Sequence, residues 1–185
     1  MDIAEAIDVT KNGQEIFITG SYENTVDFDP GAGVSPLSSA SAKDAFVLSL
    51  NNLGDFVWVK GIAGSNNQIG LGIDIDNNNN LYVTGSFMGT TAFATLGAIN
   101  ITSNGEADGF IAKYDHAGGN PLWVKRIGGA DNDEIKCVKV DKISNNIYVG
   151  GTFRVTVDFD PGAGIDEATS IGTALGGFNN TDAFI

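Results

Sequence analysis

The segment Asp-Ile-Asp-Asn-Asn-Asn-Asn-Leu-Tyr-Val-Thr-Gly-Ser-Phe, residues 74–87, decides the fold of this chain. It has the form of a strand end, a polar turn, a second strand and a glycine. The second-strand part recurs upstream at residues 16–22 and downstream at residues 147–153, with a regular period of about 65 residues. Such a period is the signature of a repeat architecture. The segment therefore predicts a fold, and it does not by itself indicate a chemistry.

Working outward from this segment, we predict four antiparallel strands in each repeat. In the first repeat they are residues 6–9, 16–22, 44–50 and 56–60. The Asn- and Gly-rich segments between these apolar runs are typical of tight turns. We place the repeats at residues 4–68, 69–133 and 134–185 of a single domain, 1–185, and the third repeat stops inside its third strand.

Four antiparallel strands repeated in tandem predict an all-β fold built from β-propeller blades. Ala6, Gly72 and Cys137 fall at equivalent positions of the first strand, where blades crowd together and small buried side chains fit. Trp58 and Trp123 fall at equivalent positions of the fourth strand and are predicted to be buried in the wider outer gap between blades. The alternative is a β-solenoid or a two-sheet sandwich. The period is long for a solenoid coil, and a sandwich would not repeat internally.

The predicted shape is an open arc rather than a closed ring, because a ring needs at least about four blades. About three four-stranded units are expected here, with the last incomplete. The A–B and C–D turns should lie on one face, and the long B–C connections and the interblade linkers on the other. The end blades should each expose an apolar face and a free strand edge, so we expect the chain to be oligomeric or poorly soluble by itself.

The composition argues against several classes of protein. The chain has 185 residues, one His, ten basic residues and a formal net charge of −13, which argues against binding nucleic acid or anionic membranes. No apolar run approaches the roughly 20 residues of a membrane helix. Cys137 is the single cysteine, so no disulfide framework or cysteine-based zinc site is expected. Residues 1–5 do not resemble a signal peptide, so the chain is either cytoplasmic or a piece of a longer protein.

A set of recurring motifs resembles the SBBP-type bacterial β-propeller repeat. The motifs are Asp-Phe-Asp-Pro-Gly at 27–31 and 158–162, Asp-Ala-Phe-Val at 44–47, Trp-Val-Lys at 58–60 and 123–125, and Leu-Tyr-Val-Thr-Gly-Ser-Phe at 81–87. The resemblance covers essentially the whole chain. It implies a large secreted or surface-attached protein without an assigned activity, whose remaining blades would be partners of this chain. The second repeat departs from the pattern, because Ala-Phe-Ala-Thr stands at 92–95.

Two pairs of carboxylates are candidates for a calcium site, Asp27 with Asp29 and Asp158 with Asp160. Closely spaced carboxylates suit Ca²⁺, which takes several oxygen ligands. The competing interpretation is a Pro-Gly turn in which the Asp side chain caps backbone amides, and the loss of both Asp in the second repeat favours it. Alternating acidic and amide residues at 74, 76, 78 and 80 imitate half of an EF-hand loop, but the required glycine and glutamate are absent, which favours a solvated hairpin turn.

No other motif predicts chemistry. His116, the single histidine, lies on a turn without a signalled partner, and Cys137 is expected to be a buried inner-strand residue. Gly128 and Gly129 lack the Lys-Ser/Thr and helix of a phosphate loop. We therefore predict no catalytic residue and no cofactor other than calcium.

The function predicted from the sequence is a non-enzymatic repeat module, an extracellular or cell-surface scaffold or binding domain with a protein or glycan partner. One alternative is a propeller-type lyase or hydrolase with its site at the channel mouth. Another is a calcium-stabilised structural repeat. The ligand surface is expected on the B–C side, where the connection between Gly151 and Asp182 is the longer one.

Overall fold

A computed structural model describes residues 1–39, 42–93, 99–171 and 181–185. These residues are all-β, with 64% of them in strands, and they form no helix that could cross a membrane. The strands are β1 Ile3–Val9, β2 Glu15–Tyr22, β3 Thr25–Asp27, β4 Pro36–Ser38, β5 Asp44–Asn51, β6 Phe56–Gly64, β7 Gln68–Ile75, β8 Leu81–Phe93, β9 Ile99–Tyr114, β10 Pro121–Gly129, β11 Glu134–Val140, β12 Ile147–Arg154, β13 Thr156–Asp158, β14 Glu167–Thr169 and β15 Thr181–Phe184.

The strands form three blades of antiparallel neighbours. Blade 1 has the order β1-β2-β5-β6, blade 2 the order β7-β8-β9-β10, and blade 3 the order β11-β12-β15. None of the sheets closes into a barrel. The predicted fold class, an open arrangement of antiparallel propeller-like blades with an incomplete third blade, is confirmed. The exact repeat boundaries stay a prediction.

Each A–B turn contains one residue with a left-handed backbone. Gly13 has φ 67°, Asn79 has φ 61° and Asn145 has φ 57°. Glycine and asparagine adopt this conformation at the least steric cost, so their presence there sets the hairpins. The flanking strands are rich in β-branched and aromatic residues, which pack well on a pleated surface.

The B–C connections are not the long polar loops expected from the sequence. In each repeat the segment after the second strand forms a β-hairpin, which is β3–β4 in blade 1, the distal halves of β8 and β9 in blade 2, and β13–β14 in blade 3. The second and third hairpins pair with the fourth strand of the preceding blade, at Ile62 with Phe93 and at Gly129 with Val157. Main-chain pairing therefore links neighbouring blades, in addition to packing.

The hairpin turns and the linkers lie at opposite ends of the strands, as predicted. At one end, the side-chain amide of Asn77 in one A–B turn donates to the carbonyl of Lys142 in the next. At the other end, the Lys43 amide donates to the linker residue Asn67 at 3.2 Å, and the Met88 amide donates to the Asn67 carbonyl at 3.1 Å.

The inner strands pack closely where the sequence places small residues. Ala6, Gly72 and Cys137 occupy the same register, opposite Thr19, Thr84 and Gly150 respectively. A Cβ built on Gly72 would lie 3.0 Å from the Cα of Cys137, so glycine permits this approach of β7 and β11. Cys137 itself is exposed, and its predicted burial is wrong. In the described part of the chain, β7 packs on one side of β11 and no inner strand covers the other side, where Cys137 is exposed.

The main core lies between blades 1 and 2. It includes Trp58, which is only 8% exposed, so the predicted burial of this residue is confirmed. Trp123, at the equivalent position of blade 2, is only partly buried between blades 2 and 3. The two residues thus occupy equivalent positions between blades, but Trp123 is less buried than Trp58. Among the described residues, blade 3 has no counterpart of Ala112 and Tyr114, which pack in the cluster around Trp58.

Candidate functional site

The first Asp-Phe-Asp-Pro-Gly segment is a turn held by its own carboxylates. Asp27 Oδ1 accepts hydrogen bonds from the amides of Asp29 at 3.1 Å and Ser35 at 2.8 Å. Asp29 Oδ1 accepts from the Gly31 amide at 2.7 Å. A Cβ on Gly33 would lie 2.0 Å from Asp29 Oδ2, so this glycine is required by the approach of the carboxylate. The backbone hydrogen bonds lower the pKa of Asp27.

The second copy repeats these contacts in blade 3. Asp158 Oδ1 accepts from the amides of Asp160 at 3.0 Å and Asp166 at 2.8 Å, and Asp160 Oδ1 accepts from Gly162 at 2.6 Å. Backbone hydrogen bonds lower the pKa of Asp158 as well. The two pairs lie in different blades, and each is used to cap its own turn. Among the described residues, no group of three or more His, Cys, Asp or Glu side chains is placed to hold a metal ion. Calcium binding at these four residues stays a prediction.

The acidic side chains of the segment that resembles half an EF-hand loop do not point towards one common position. Asp76 Oδ1 accepts from the amides of Asn78 at 2.8 Å and Asn80 at 2.9 Å, and its Oδ2 lies 3.1 Å from Lys113 Nζ. Burial opposes ionisation, but hydrogen bonds from the Asn80 and Lys113 side chains outweigh it and lower the pKa of Asp76. Asp74 points instead towards blade 3. Both carboxylates are buried rather than solvated. Asp76 binds its own turn and Lys113, whereas Asp74 binds residues of blade 3.

Asp74 forms the centre of a charged cluster between blades 2 and 3. Its Oδ2 accepts from the Val140 amide at 2.7 Å and lies 3.0 Å from Lys139 Nζ, and its Oδ1 lies 3.0 Å from Lys142 Nζ. The Asp74 side chain is only 2% exposed. Burial by itself would raise its pKa, but the hydrogen bonds from Val140, Lys142 and Lys139 outweigh burial and lower the pKa to about 2.

Asp8 is the residue of blade 1 that corresponds to Asp74. Burial raises the pKa of Asp8, the Val9 amide opposes that shift, and the neighbouring Asp74 carboxylate adds to it. The corresponding residue of blade 3 is Lys139. Two acidic residues and one basic residue thus occupy one register of the three inner strands, and they stand close together.

A polar recess of about 360 Å³ opens beside this cluster, among the A–B turns of all three blades. We call it the A–B recess. It is lined by Asp8, Val9, Lys11, Asp74, Ile75, Asp76, Asn77, Asn79, Lys139 and Lys142. Sequence reasoning missed it. The available signal was the change from Asp to Lys at the third copy of one repeat position, which predicts an ion pair if neighbouring copies meet.

Three other buried carboxylates occupy the opposite end of the blades. Burial raises the pKa of Asp44, Asp108 and Asp133. Asp108 Oδ2 accepts from Arg126 Nη1 at 2.7 Å, and Asp133 accepts from the Gly129 amide at 2.7 Å. These contacts tie linkers and strand ends together within the fold.

The other residues that the sequence singled out take part in packing or strand pairing, or lie outside the described residues. The His116 carbonyl accepts from Trp58 Nε1 at 3.0 Å, so this residue contributes its backbone to the packing of blade 1 on blade 2. Gly128 and Gly129 form the end of β10 and pair with β13. The B–C connection between Gly151 and Asp182 begins as β13–β14, and its glycine-rich tip at 172–180 lies outside the described residues.

Comparison with known proteins supports a repeat fold. No family model matches the chain. An uncharacterised WD repeat-containing protein of Acanthamoeba polyphaga mimivirus is 32% identical over 208 residues, which cover 95% of this chain and 14% of the relative. The regulatory protein FlaEY of Caulobacter vibrioides is 27% identical over 164 residues, which cover 85% of this chain and 17% of the relative. The chain thus spans a small part of both relatives. Since WD repeats form propeller blades, the first likeness and the all-β sheets together indicate a β-propeller-like repeat module.

Proposed function

We propose that the chain is a non-enzymatic, SBBP-type repeat module that acts as a scaffold or binding domain within a larger extracellular or cell-surface protein. The A–B recess is the observation that supports a binding role, because all three blades contribute side chains to it. Propellers present their turns on a face around the inner strands, where a partner can contact several blades at once. Further blades of the same polypeptide are the proposed neighbours of this module.

The lining of the A–B recess suits a polar partner with groups of both signs. Lys139 keeps 75% of its side chain exposed although its ammonium is anchored on Asp74. Asn77 and Asn79 add amide donors and acceptors beside the carboxylate of Asp8. Its volume lies within the range of about 300–1,000 Å³ that is usual for ligand clefts. A protein loop or a glycan offers the mixed donors and acceptors that such a lining would bind.

Binding of the chain to glycan and peptide arrays tests this proposal. A ligand found in this way should bind at least about tenfold more weakly to Lys139→Glu, because the change places a third carboxylate beside Asp8 and Asp74. The matched control is Lys43→Glu, which makes the same charge change at the opposite end of the strands. Equal losses in both variants, or no loss in either, would contradict recognition at the A–B recess. Cleavage of the ligand, detected by mass spectrometry, would support the lyase or hydrolase alternative instead.

Calcium-stabilised structure is the second candidate function. It is favoured by the repetition of one loop, Asp-Phe-Asp-Pro-Gly-Ala-Gly, with the same contacts in blades 1 and 3. In each loop one carboxylate oxygen of the second Asp lies against the loop glycine rather than against an amide donor. Thermal unfolding with calcium and with EDTA tests it. Two outcomes would exclude calcium at these loops. One is a melting temperature that is the same with calcium and with EDTA. The other is a calcium-dependent change that is equally large in the double variant Asp27→Asn/Asp158→Asn.

A further inference from the structure

An apolar groove of about 490 Å³ lies between blades 2 and 3 on the side of the fourth strand. We call it the Trp123 groove. Its lining is almost entirely hydrocarbon and comprises Ile111, Trp123, Lys125, Ile127, Ile147, Val149 and Pro161. Along one side runs the edge of β12. Among the described residues, β15 pairs with that edge at Gly151 to Arg154, and no strand pairs with it from Ile147 to Gly150.

The same gap between blades 1 and 2 is filled. Trp58, Leu81 and Val83 stand where Trp123, Ile147 and Val149 stand one repeat later. There, β9 continues along the whole of β8, pairing Ala112 with Val83 and Tyr114 with Leu81. Ala112 and Tyr114 belong to the cluster around Trp58, and neither is exposed. The occupant of the filled gap is thus a strand with a small residue and a tyrosine two residues apart.

The turn that follows β9 completes the enclosure of Trp58. The indole nitrogen donates to the carbonyl of His116 at 3.0 Å. Gly119 presses against the ring, so closely that a Cβ there would lie 2.6 Å from Cζ3 of Trp58. Trp123 packs on Tyr82 with ring centroids 5.9 Å apart, and no described residue accepts a hydrogen bond from its indole nitrogen. The Trp123 groove therefore offers an apolar surface, a strand edge and an indole donor to one ligand.

We propose that the Trp123 groove binds one extended β-strand antiparallel to β12, a strand with the pattern of β9: a small residue, a polar residue and a tyrosine, followed by a glycine-containing turn. The tyrosine would lie opposite Ile147, and the turn would supply the carbonyl for the Trp123 indole. The strand comes from a further repeat segment of the same type, since the occupant of the equivalent gap is such a segment. Backbone pairing would supply affinity and the side-chain positions would supply specificity, as in β-augmentation. This inference is independent of the proposed binding at the A–B recess, which lies among the A–B turns.

The probe is a fluorescein-labelled peptide of residues 112–120, Ala-Lys-Tyr-Asp-His-Ala-Gly-Gly-Asn, titrated with the whole chain and followed by anisotropy. Saturable one-to-one binding is expected. Replacing the peptide tyrosine, Tyr114→Ser, should weaken binding at least about tenfold, because the buried ring supplies most of the apolar contact. A peptide with Ala112→Pro/Lys113→Pro should lose binding, because adjacent strand residues point their amides to opposite sides and one of the two must face β12.

On the protein side, Ile147→Lys should weaken binding at least about tenfold by placing a charge in the groove. Leu53→Lys, an exposed apolar position in blade 1 that is 81% exposed, should leave it unchanged. Absence of saturable binding, or binding that survives the double proline peptide or Ile147→Lys, would overturn the proposal. Light scattering that shows self-association abolished by Ile147→Lys would also overturn it, and would assign the groove to a second copy of the chain.

Discussion

The two interblade interfaces are built from nearly the same sequence, but they differ in how completely they are closed. At the interface of blades 1 and 2, Leu81 and Val83 are fully buried against Trp58 and Tyr114. At the interface of blades 2 and 3, the corresponding Ile147 and Val149 are only partly buried and line a groove. The strand that presents these residues is alike in both places. What differs is the third strand beside it, so burial is decided by the neighbour rather than by the residue itself.

The second difference is electrostatic. The interface of blades 1 and 2 is held mainly by apolar packing, whereas that of blades 2 and 3 also contains the cluster in which Asp74 meets Val140, Lys139 and Lys142. The repeat position that carries Asp8 and Asp74 carries Lys139 in blade 3. One substitution in the third copy therefore joins inner strands that would otherwise bring three carboxylates together.

The largest expected effect separates the two tryptophans. Trp58→Ala should lower the free energy of unfolding by about 3–5 kcal/mol, because it empties an enclosed site. Trp123→Ala should cost only about 1–2 kcal/mol, since the ring is partly in water already. Urea denaturation followed by circular dichroism measures both values. Similar losses for the two variants would show that the interfaces are equally closed.

The next comparison concerns the face of blade 1 that no other described residues cover. Ile7 and Ile73 are equivalent residues of β1 and β7, but Ile7 is 64% exposed and Ile73 only 9% exposed. Ile73→Ala should destabilise the chain by about 2–4 kcal/mol, whereas Ile7→Ala should change stability by less than about 0.5 kcal/mol. The same denaturation assay tests the pair. A large loss for Ile7→Ala would mean that this face is covered in solution.

A smaller effect is expected at two glycines in equivalent C–D turns. Gly119 has φ 62° and touches Trp58, whereas Gly54 has φ 86° and nothing within 4 Å of a Cβ. Gly54→Ala should cost about 1 kcal/mol from backbone strain alone. Gly119→Ala should cost about 2 kcal/mol, because it must also displace the indole ring. Thermal unfolding should therefore show a larger loss of stability for Gly119→Ala than for Gly54→Ala. Equal losses would show that the contact with Trp58 does not contribute to the cost at Gly119.

An effect of similar size on stability is expected to depend on pH. Because the pKa of Asp74 is about 2 in the fold, below its ordinary value of 3.8, its contribution is present above about pH 4 and is lost as the pH falls towards 2. Asp74→Asn should thus be about 1–2 kcal/mol less stable than the parent at pH 7, and the difference should shrink through that range. Unfolding curves from pH 7 to about pH 2 measure it.

The matched control for this measurement is Asp8→Asn, at the equivalent position of blade 1. Burial raises the pKa of its carboxyl, so the fold disfavours the ionised form, and removal of the charge should not destabilise the chain. A difference between Asp74→Asn and the parent that stays constant with pH would contradict the assignment of the cluster.

The sequence by itself determined the blade and its repetition. The period, the Asn-Gly turns and the small residues at 6, 72 and 137 depend on local backbone geometry and on the register within one repeat, which neighbouring residues fix. The Asp turns at 27–29 and 158–160 were equally readable as capped turns, because their hydrogen bonds span only a few residues.

Only the tertiary structure decided which copy of each position is buried and which charges meet. Asp74 and Val140 are separated by a full repeat in sequence, but the Val140 amide donates a hydrogen bond to the Asp74 carboxylate at 2.7 Å. Trp58 and Trp123 occur in the same motif. Among the described residues, only the indole of Trp58 meets the third strand of the next blade, a carbonyl acceptor and a closely packed glycine. The hairpins in the B–C connections likewise depend on pairing with the preceding blade. Burial and ion pairing depend on contacts between repeats. A periodic sequence predicts little about these contacts, because it presents the same residues whether or not a neighbouring repeat packs against them.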